Sequence, residues 1–158
     1  MIKNILICCI VVSVGFSEFL RDNTNQIVLD TTTNLMWQDD SNASSITKPW
    51  VTQTAYDDGN YTDTSGDTAF TYCEDLSLGG YEDWRVPNIN ELETIIDDTR
   101  YSPAIKDVFI NTASYYYWSS STNASNTSDA WYVYFYSGST SNYYKYYSFY
   151  VRCLRSGQ

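Results

Sequence analysis

The sequence contains no histidine. That removes the commonest general base, the commonest metal ligand and any catalytic triad built on imidazole. Basic residues are scarce as well: nine Lys and Arg face nineteen Asp and Glu, a formal charge of −10. Nucleic acid and anionic lipid both need Lys and Arg to replace their counterions, so neither suits this surface. Neutral sugars, proteins or a bound cation remain compatible with it. No apolar run reaches the roughly 20 residues that span a hydrocarbon core, so the mature chain is not expected to insert into a membrane. Cysteine is limited to four positions, Cys8, Cys9, Cys73 and Cys153.

What the N-terminus does have is a short export signature. Lys3 precedes the apolar stretch Ile5 to Val14, and Gly15-Phe16-Ser17 places small residues at the −3 and −1 positions of a cleavage after Ser17. This tripartite pattern predicts a signal peptide over residues 1–17 and one domain over 18–158. Leu6-Ile7-Cys8-Cys9 faintly resembles a lipoprotein cleavage site, but too little apolar chain precedes it. Removal of the leader leaves 141 residues, enough for one domain with a real core, and shifts the formal charge to about −11. The chain is therefore expected outside the cytoplasm: secreted, periplasmic or at the cell surface. There the two remaining cysteines, Cys73 and Cys153, read as one disulfide, with a pair of free buried thiols as the alternative. Closing a loop of about 80 residues stabilises a fold by roughly 4 kcal/mol in the chain-entropy account.

After a polar lead-in from Glu18 to Gln26, Ile27 to Asp30 and Leu35 to Trp37 predict two strands around a turn. Asp39 to Asp67 is rich in Asp, Ser, Thr and Asn and reads as a long surface loop. A first helix is predicted over Asp67 to Leu78, capped by Asp67, with Phe70, Cys73 and Leu76 on one face and Gly79-Gly80 as its stop. A second follows Pro87, capped by Asn88 or Asn90, carries Leu92, Ile95 and Ile96, and ends near Asp98. Asp57, Asp58, Asn60, Asp63 and Asp67 have enough oxygen for a calcium ion. Their spacing is not that of an EF-hand, and the Glu-Pro-Asn and Gln-Pro-Asp tripeptides of calcium-dependent lectins are absent. A solvated acidic loop is the plainer reading, and no cofactor is expected.

From Tyr115 to Val151 the chain holds eleven of its sixteen tyrosines. Trp131 to Tyr136 alternates strictly, with Trp131, Val133 and Phe135 on one face and Tyr132, Tyr134 and Tyr136 on the other; Phe149, Val151 and Cys153 share one face of a last strand. A small antiparallel sheet is predicted here, which makes the domain α+β. Tyrosine offers broad, rigid contact area with a polar tip, while Ser and Asn adapt by hydrogen bonding, the composition that antibody loops use. Tyr132, Tyr134, Tyr136, Ser137, Ser139, Thr140, Asn142, Tyr143, Tyr144, Tyr146, Tyr147 and Phe149 are the candidate ligand-binding residues. With Ser141 and Ser148, those from Tyr136 to Phe149 make twelve exposed-looking positions, interrupted only by Gly138 and Lys145. Trp84-Arg85-Val86-Pro87-Asn88 and Trp118-Ser119-Ser120-Ser121 read instead as structural: Trp84 and Trp118 as core, Arg85 as partner of a carboxylate or carbonyl.

Seven blocks in order resemble the Lcl C-terminal domain family: Leu35 to Asp39, Tyr72 to Leu76, Gly79 to Asn88, Asn90 to Leu92, Tyr117 to Ser121, Ala130 to Val133, and Tyr150 to Arg155. They cover nearly the whole mature chain. The resemblance implies a C-type-lectin-like fold, two helices flanking a small antiparallel sheet, with a first-helix cysteine tied to one in the last strand. Cys73 and Cys153 match those positions. It also implies an exported bacterial protein, some members of the family being adhesins that recognise host polysaccharide. The twelve tail positions, all Asn, Ser, Tyr, Thr or Phe, are reachable from an asparagine codon by replacing its two adenines. In this they resemble the variable region of diversity-generating retroelement targets.

These features favour a non-enzymatic binding domain, a lectin-like adhesin or receptor for carbohydrate or a cell-surface protein. A structural subunit that assembles through its aromatic face is the alternative. An enzyme related to the formylglycine-generating oxidases is disfavoured, because those need reactive cysteines and this pair is assigned to a disulfide.

Overall fold

The computed structural model describes residues 19–157; the leader expected over 1–17, with Cys8 and Cys9, lies outside the described residues. The described residues form two sheets and three helices of five or six residues. β1 (Phe19–Asp22), β2 (Ile27–Asp30), β3 (Leu35–Gln38) and β9 (Leu154–Ser156) form an antiparallel sheet in that order. β4 (Thr47–Pro49), β8 (Ser148–Tyr150), β5 (Tyr116–Thr122), β6 (Asp129–Tyr134) and β7 (Ser139–Tyr144) form the second, in which only the β5–β8 pair is parallel. The sheet predicted for the C-terminal third is therefore mixed rather than purely antiparallel, and the domain is mostly sheet.

The helices are α1 (Gln53–Asp57), α2 (Ala69–Glu74) and α3 (Ile89–Glu93). Helices this short are unstable alone and persist through caps and tertiary contacts. α2 is capped by Thr68 in a reciprocal box with Thr71, not by Asp67, which is exposed and paired with Lys48. It ends five residues before Gly79, and Gly79-Gly80 turn the chain at positive φ instead, so that Leu78 and Tyr81 bridge. Asn88 caps α3, whose Glu91 closes the box, and the helix stops at Glu93 rather than near Asp98. Past its end Ile95 is still fully buried, so the apolar stripe that suggested a longer helix is core contact made by irregular chain.

Asp39 to Asp67 is not a surface loop. It contains a single 3₁₀ turn over Ser41–Ser44, β4 and α1, and it delivers Ala43, Trp50, Val51 and Ala55 to the core. Its polar composition hid these four core residues among many solvated ones.

The five-stranded sheet divides two cores. Tyr117, Val133 and Phe135 lie in one, with Val28, Trp37, Leu92 and Ile95. Trp118, Ala130 and Phe149 lie in the other, with Trp50, Trp84, Cys73 and Cys153. Alternation holds across the last residues: Phe149, Val151 and Cys153 enter the second core, while Tyr150 and Leu154 face the first. The single last strand predicted there is two short ones, because β8 pairs in one sheet and β9 in the other. At the crossing the Cys73–Cys153 disulfide, 80 residues apart in sequence, ties α2 to the C-terminal chain.

The same crossing carries a buried ion pair. The Arg152 guanidinium is fully enclosed and donates to Asp39 Oδ1 at 2.8 Å, to the Gln38 and Asn111 carbonyls at 2.6 Å each, and to Thr112 Oγ1 at 2.7 Å. Asp39 also accepts from the Ile110 and Asn111 amides and pairs with Arg21. Gln38 accepts from the Cys153 amide and donates to Asp40 and Tyr72. Leu35 to Asp39 and Tyr150 to Arg155 thus interlock through side chains and backbone, and the disulfide ties α2 to the same stretch. Trp84 is buried, and Arg85 pairs with Glu91 at 2.6 and 2.8 Å while its backbone bridges Leu154 in both directions.

Candidate functional site

β6 and β7 pair from Asp129–Tyr144 to Tyr134–Ser139, so β7 is the free edge of the five-stranded sheet. The tail from Tyr136 to Phe149 runs through the β6–β7 turn, along β7 and round the turn into β8. Of its twelve positions expected to be exposed nine are, Asn142 and Tyr146 are half-buried, and Phe149 is buried. Phe149 corrects the expectation: at 7 % exposure it stacks on Trp118 with 4.3 Å between ring centres. Tyr143, Tyr144 and Tyr147 keep 40 % or more of their surface in solvent.

The two residues that interrupt the run are spent on the fold. Lys145 is fully buried, and its Nζ donates to Thr122 Oγ1 and the Tyr61 carbonyl at 2.8 Å each while lying 3.8 Å from the centre of the Trp50 ring. Its amide donates to Ser128, and its carbonyl accepts from Trp50 and Val51. Burial pulls the Lys145 ammonium down to about 8, against the opposing pull of Asp129. Gly138 closes the β6–β7 turn at φ +77°, where side chains are strained, and a Cβ there would lie 3.0 Å from Ile96 Cγ2.

Aromatic contacts join the tail to residues that sequence reading did not select. Tyr56 on α1 meets Tyr146 at 4.6 Å, Tyr144 at 6.3 Å and Tyr61 at 5.0 Å. Tyr136 meets Tyr101 at 4.3 Å, and Tyr134 stacks on Tyr136. Tyr115, Tyr116, Tyr132, Tyr143, Tyr147 and Phe149 together line a cleft of about 210 Å³. No sequence signal marks Tyr56 or Tyr61, since each lies in polar chain and acquires its neighbours only through the fold. Tyr115 and Tyr116 differ, because they open the tyrosine-rich stretch itself. Shared hydrogen bonding with Tyr136 and with Tyr147 pushes Tyr101 and Tyr146, respectively, up to about 12. Mutual repulsion with Tyr147 raises Tyr143.

Among the described residues no group of three or more Asp, Glu or Cys is placed to hold a metal ion. In the Asp-rich segment Asp57 accepts from Gln53, Asp63 from Ser65, and Asp67 pairs with Lys48. Among the described residues no helix is long and apolar enough to cross a membrane.

The family model described as the Lcl C-terminal domain matches residues 26–155. No curated protein and no solved structure gives a significant match.

Proposed function

Because the chain belongs to the Lcl C-terminal domain family, we propose that it is an exported, non-enzymatic recognition domain whose ligand lies on the tyrosine surface of β6, β7 and the turn into β8. One observation carries this reading. In the tail the exposed positions hold interchangeable contact residues, while the two exceptions, Gly138 and Lys145, are positions the fold cannot release. Exposed aromatic area of this extent marks interaction sites on soluble proteins. We read the two sheets, the short helices and the Cys73–Cys153 tie as a C-type-lectin-like fold, with carbohydrate or a cell-surface protein as the ligand. The same segregation of free and fixed positions, broken where Phe149 is buried, supports reading the tail as a diversified region. That reading predicts a near-identical DNA template nearby, differing only at adenines, beside a reverse transcriptase gene; a genome with neither contradicts it.

A non-enzymatic role is supported by the disulfide, which leaves Cys73 and Cys153 without thiols for redox chemistry. The test of recognition is a screen of the mature domain against glycans and cell-surface proteins. A variant with Tyr143, Tyr144, Tyr146 and Tyr147 changed to Ser is screened beside it. Ligand capture lost in the variant, with the fold intact, supports the reading; capture that survives moves the site elsewhere.

A second reading rests on the edge of the sheet. β7 presents six residues without a charge, the kind of edge that pairs with another chain. A structural subunit assembling through β7 would sediment with a concentration-dependent mass, which a monomeric receptor would not.

A further inference from the structure

The cleft between β5, β6 and the turn into β8 is lined by Tyr115, Tyr116, Tyr132, Tyr143, Tyr147 and Phe149. No carboxylate, amide, guanidinium or ammonium contributes to its lining, an unusual wall in a chain where polar residues are plentiful. Sugar sites pair an aromatic platform with polar side chains that bond the ring hydroxyls, and this cleft has phenol hydroxyls alone. Nor are its rings a flat platform. Tyr143 and Tyr147 meet at 71° with 4.8 Å between centres, Tyr132 and Phe149 at 80° and 5.4 Å, and Tyr116 and Tyr132 at 59° and 4.8 Å. Buried Phe149 is the floor, and the inclined tyrosines are the walls.

Ring faces turned into such a box attract a cation whose charge is spread over methyl groups, because the negative face of each ring quadrupole supplies the counter-field without hydrogen bonds. The rest of the molecule favours the same ligand. Its formal charge is −10, and the one cation of the tail, Lys145, is enclosed over Trp50 and bonded to Tyr61 and Thr122. The volume of about 210 Å³ falls below the roughly 300 Å³ at which drug-sized pockets begin, so it suits a head group.

We propose that this cleft is an aromatic cage for a quaternary ammonium group, the trimethylammonium head of choline. The proposal rests on the recognition reading above and names the chemistry its central cleft selects.

The experiment titrates the disulfide-intact mature domain with choline, following tyrosine fluorescence. It is repeated with 3,3-dimethylbutan-1-ol, which has the same shape without the charge. Saturable choline binding, with the neutral analogue at least about tenfold weaker, is the expected result. Tyr147→Leu removes choline binding, and Tyr147→Phe, which keeps the ring and loses the hydroxyl, retains it. Free phosphocholine and phosphatidylcholine vesicles, run in parallel, tell whether the head group is met in solution or at a membrane; binding of either supports the cage. Equal binding of the neutral analogue overturns it, as does loss of binding in Tyr147→Phe or no choline binding at all. The glycan and protein screen keeps the two failures apart: capture there without choline binding sinks the cage alone, and failure of both sinks recognition itself.

Discussion

The crossing at Val151 to Cys153 and the tail from Tyr136 to Ser148 lie a few residues apart in sequence, yet they obey opposite rules. At the crossing the polar groups are buried and most are committed, Arg152 Nε being the exception. Arg152 is enclosed and donates four hydrogen bonds, Asp39 accepts from Arg152 and two amides, and Gln38 uses both ends of its amide. In the tail nine of the twelve positions are exposed and the tyrosines meet other rings, Tyr56 and Tyr101 among them, while the fold holds the segment by its backbone, by Lys145 and by Gly138. Buried polar groups tolerate no loss of a partner, whereas exposed aromatics can be exchanged at small cost. A frame of the first kind carrying a surface of the second kind separates stability from recognition.

The sharpest way to break that comparison is at Arg152. Arg152→Met leaves Asp39 buried with Arg21 as its remaining ionic partner, and a loss of about 3–5 kcal/mol is expected in urea denaturation. Replacing Cys73 and Cys153 together by Ala opens an 80-residue loop and costs about 4 kcal/mol by the same measurement.

A smaller effect is set by pH. Lys145 titrates at about 8 in the folded chain, and at its ordinary 10.5 when unfolded. Between these values the unfolded chain holds a proton that the folded chain has released, so this group makes stability rise with pH from about 8 to 10.5. Tyr72 and Tyr117 act oppositely: burial raises both above 10, so the stability they contribute is present below pH 10 and lost as pH climbs beyond it. Comparing wild type with Lys145→Met between pH 8 and 10 isolates the lysine, and the variant is expected to lack the rise. Smallest of all in stability are Tyr143→Ser and Tyr147→Ser, each expected to change unfolding free energy by no more than about 0.5 kcal/mol while impairing ligand capture.

Much of the frame was legible in the sequence because its signals are local or chemically specific. β2 and β3 follow from two short β-rich runs around Thr31 to Asn34, and Asn88 announces α3 by its place after Pro87. The disulfide follows from two cysteines in a chain with an export signature. Helix lengths did not follow, because Ile95 and Leu76 pack in irregular chain as well as they would in a helix. Trp50 and Val51 were hidden by polar neighbours. β1 escaped because four residues, Phe19 to Asp22, alternate too briefly to register. In the site, exposure was correctly expected for nine tail positions and not for Phe149, whose burial depends on Trp118, 31 residues away. Tyr56 could enter the surface only once α1 was seen to pack against the tail.

The most direct test of a fixed frame beneath a free surface is a library that randomises the nine exposed tail positions among Asn, Ser, Tyr and Thr. A second library randomises Gly138, Lys145 and Phe149 alone. Folded yield is measured by display with protease challenge, and ligand binding is read on the same clones. The account predicts that most members of the first library fold while their binding varies from clone to clone, and that the second yields few folded members. Loss of folding across the first library, at the rate seen in the second, would contradict it.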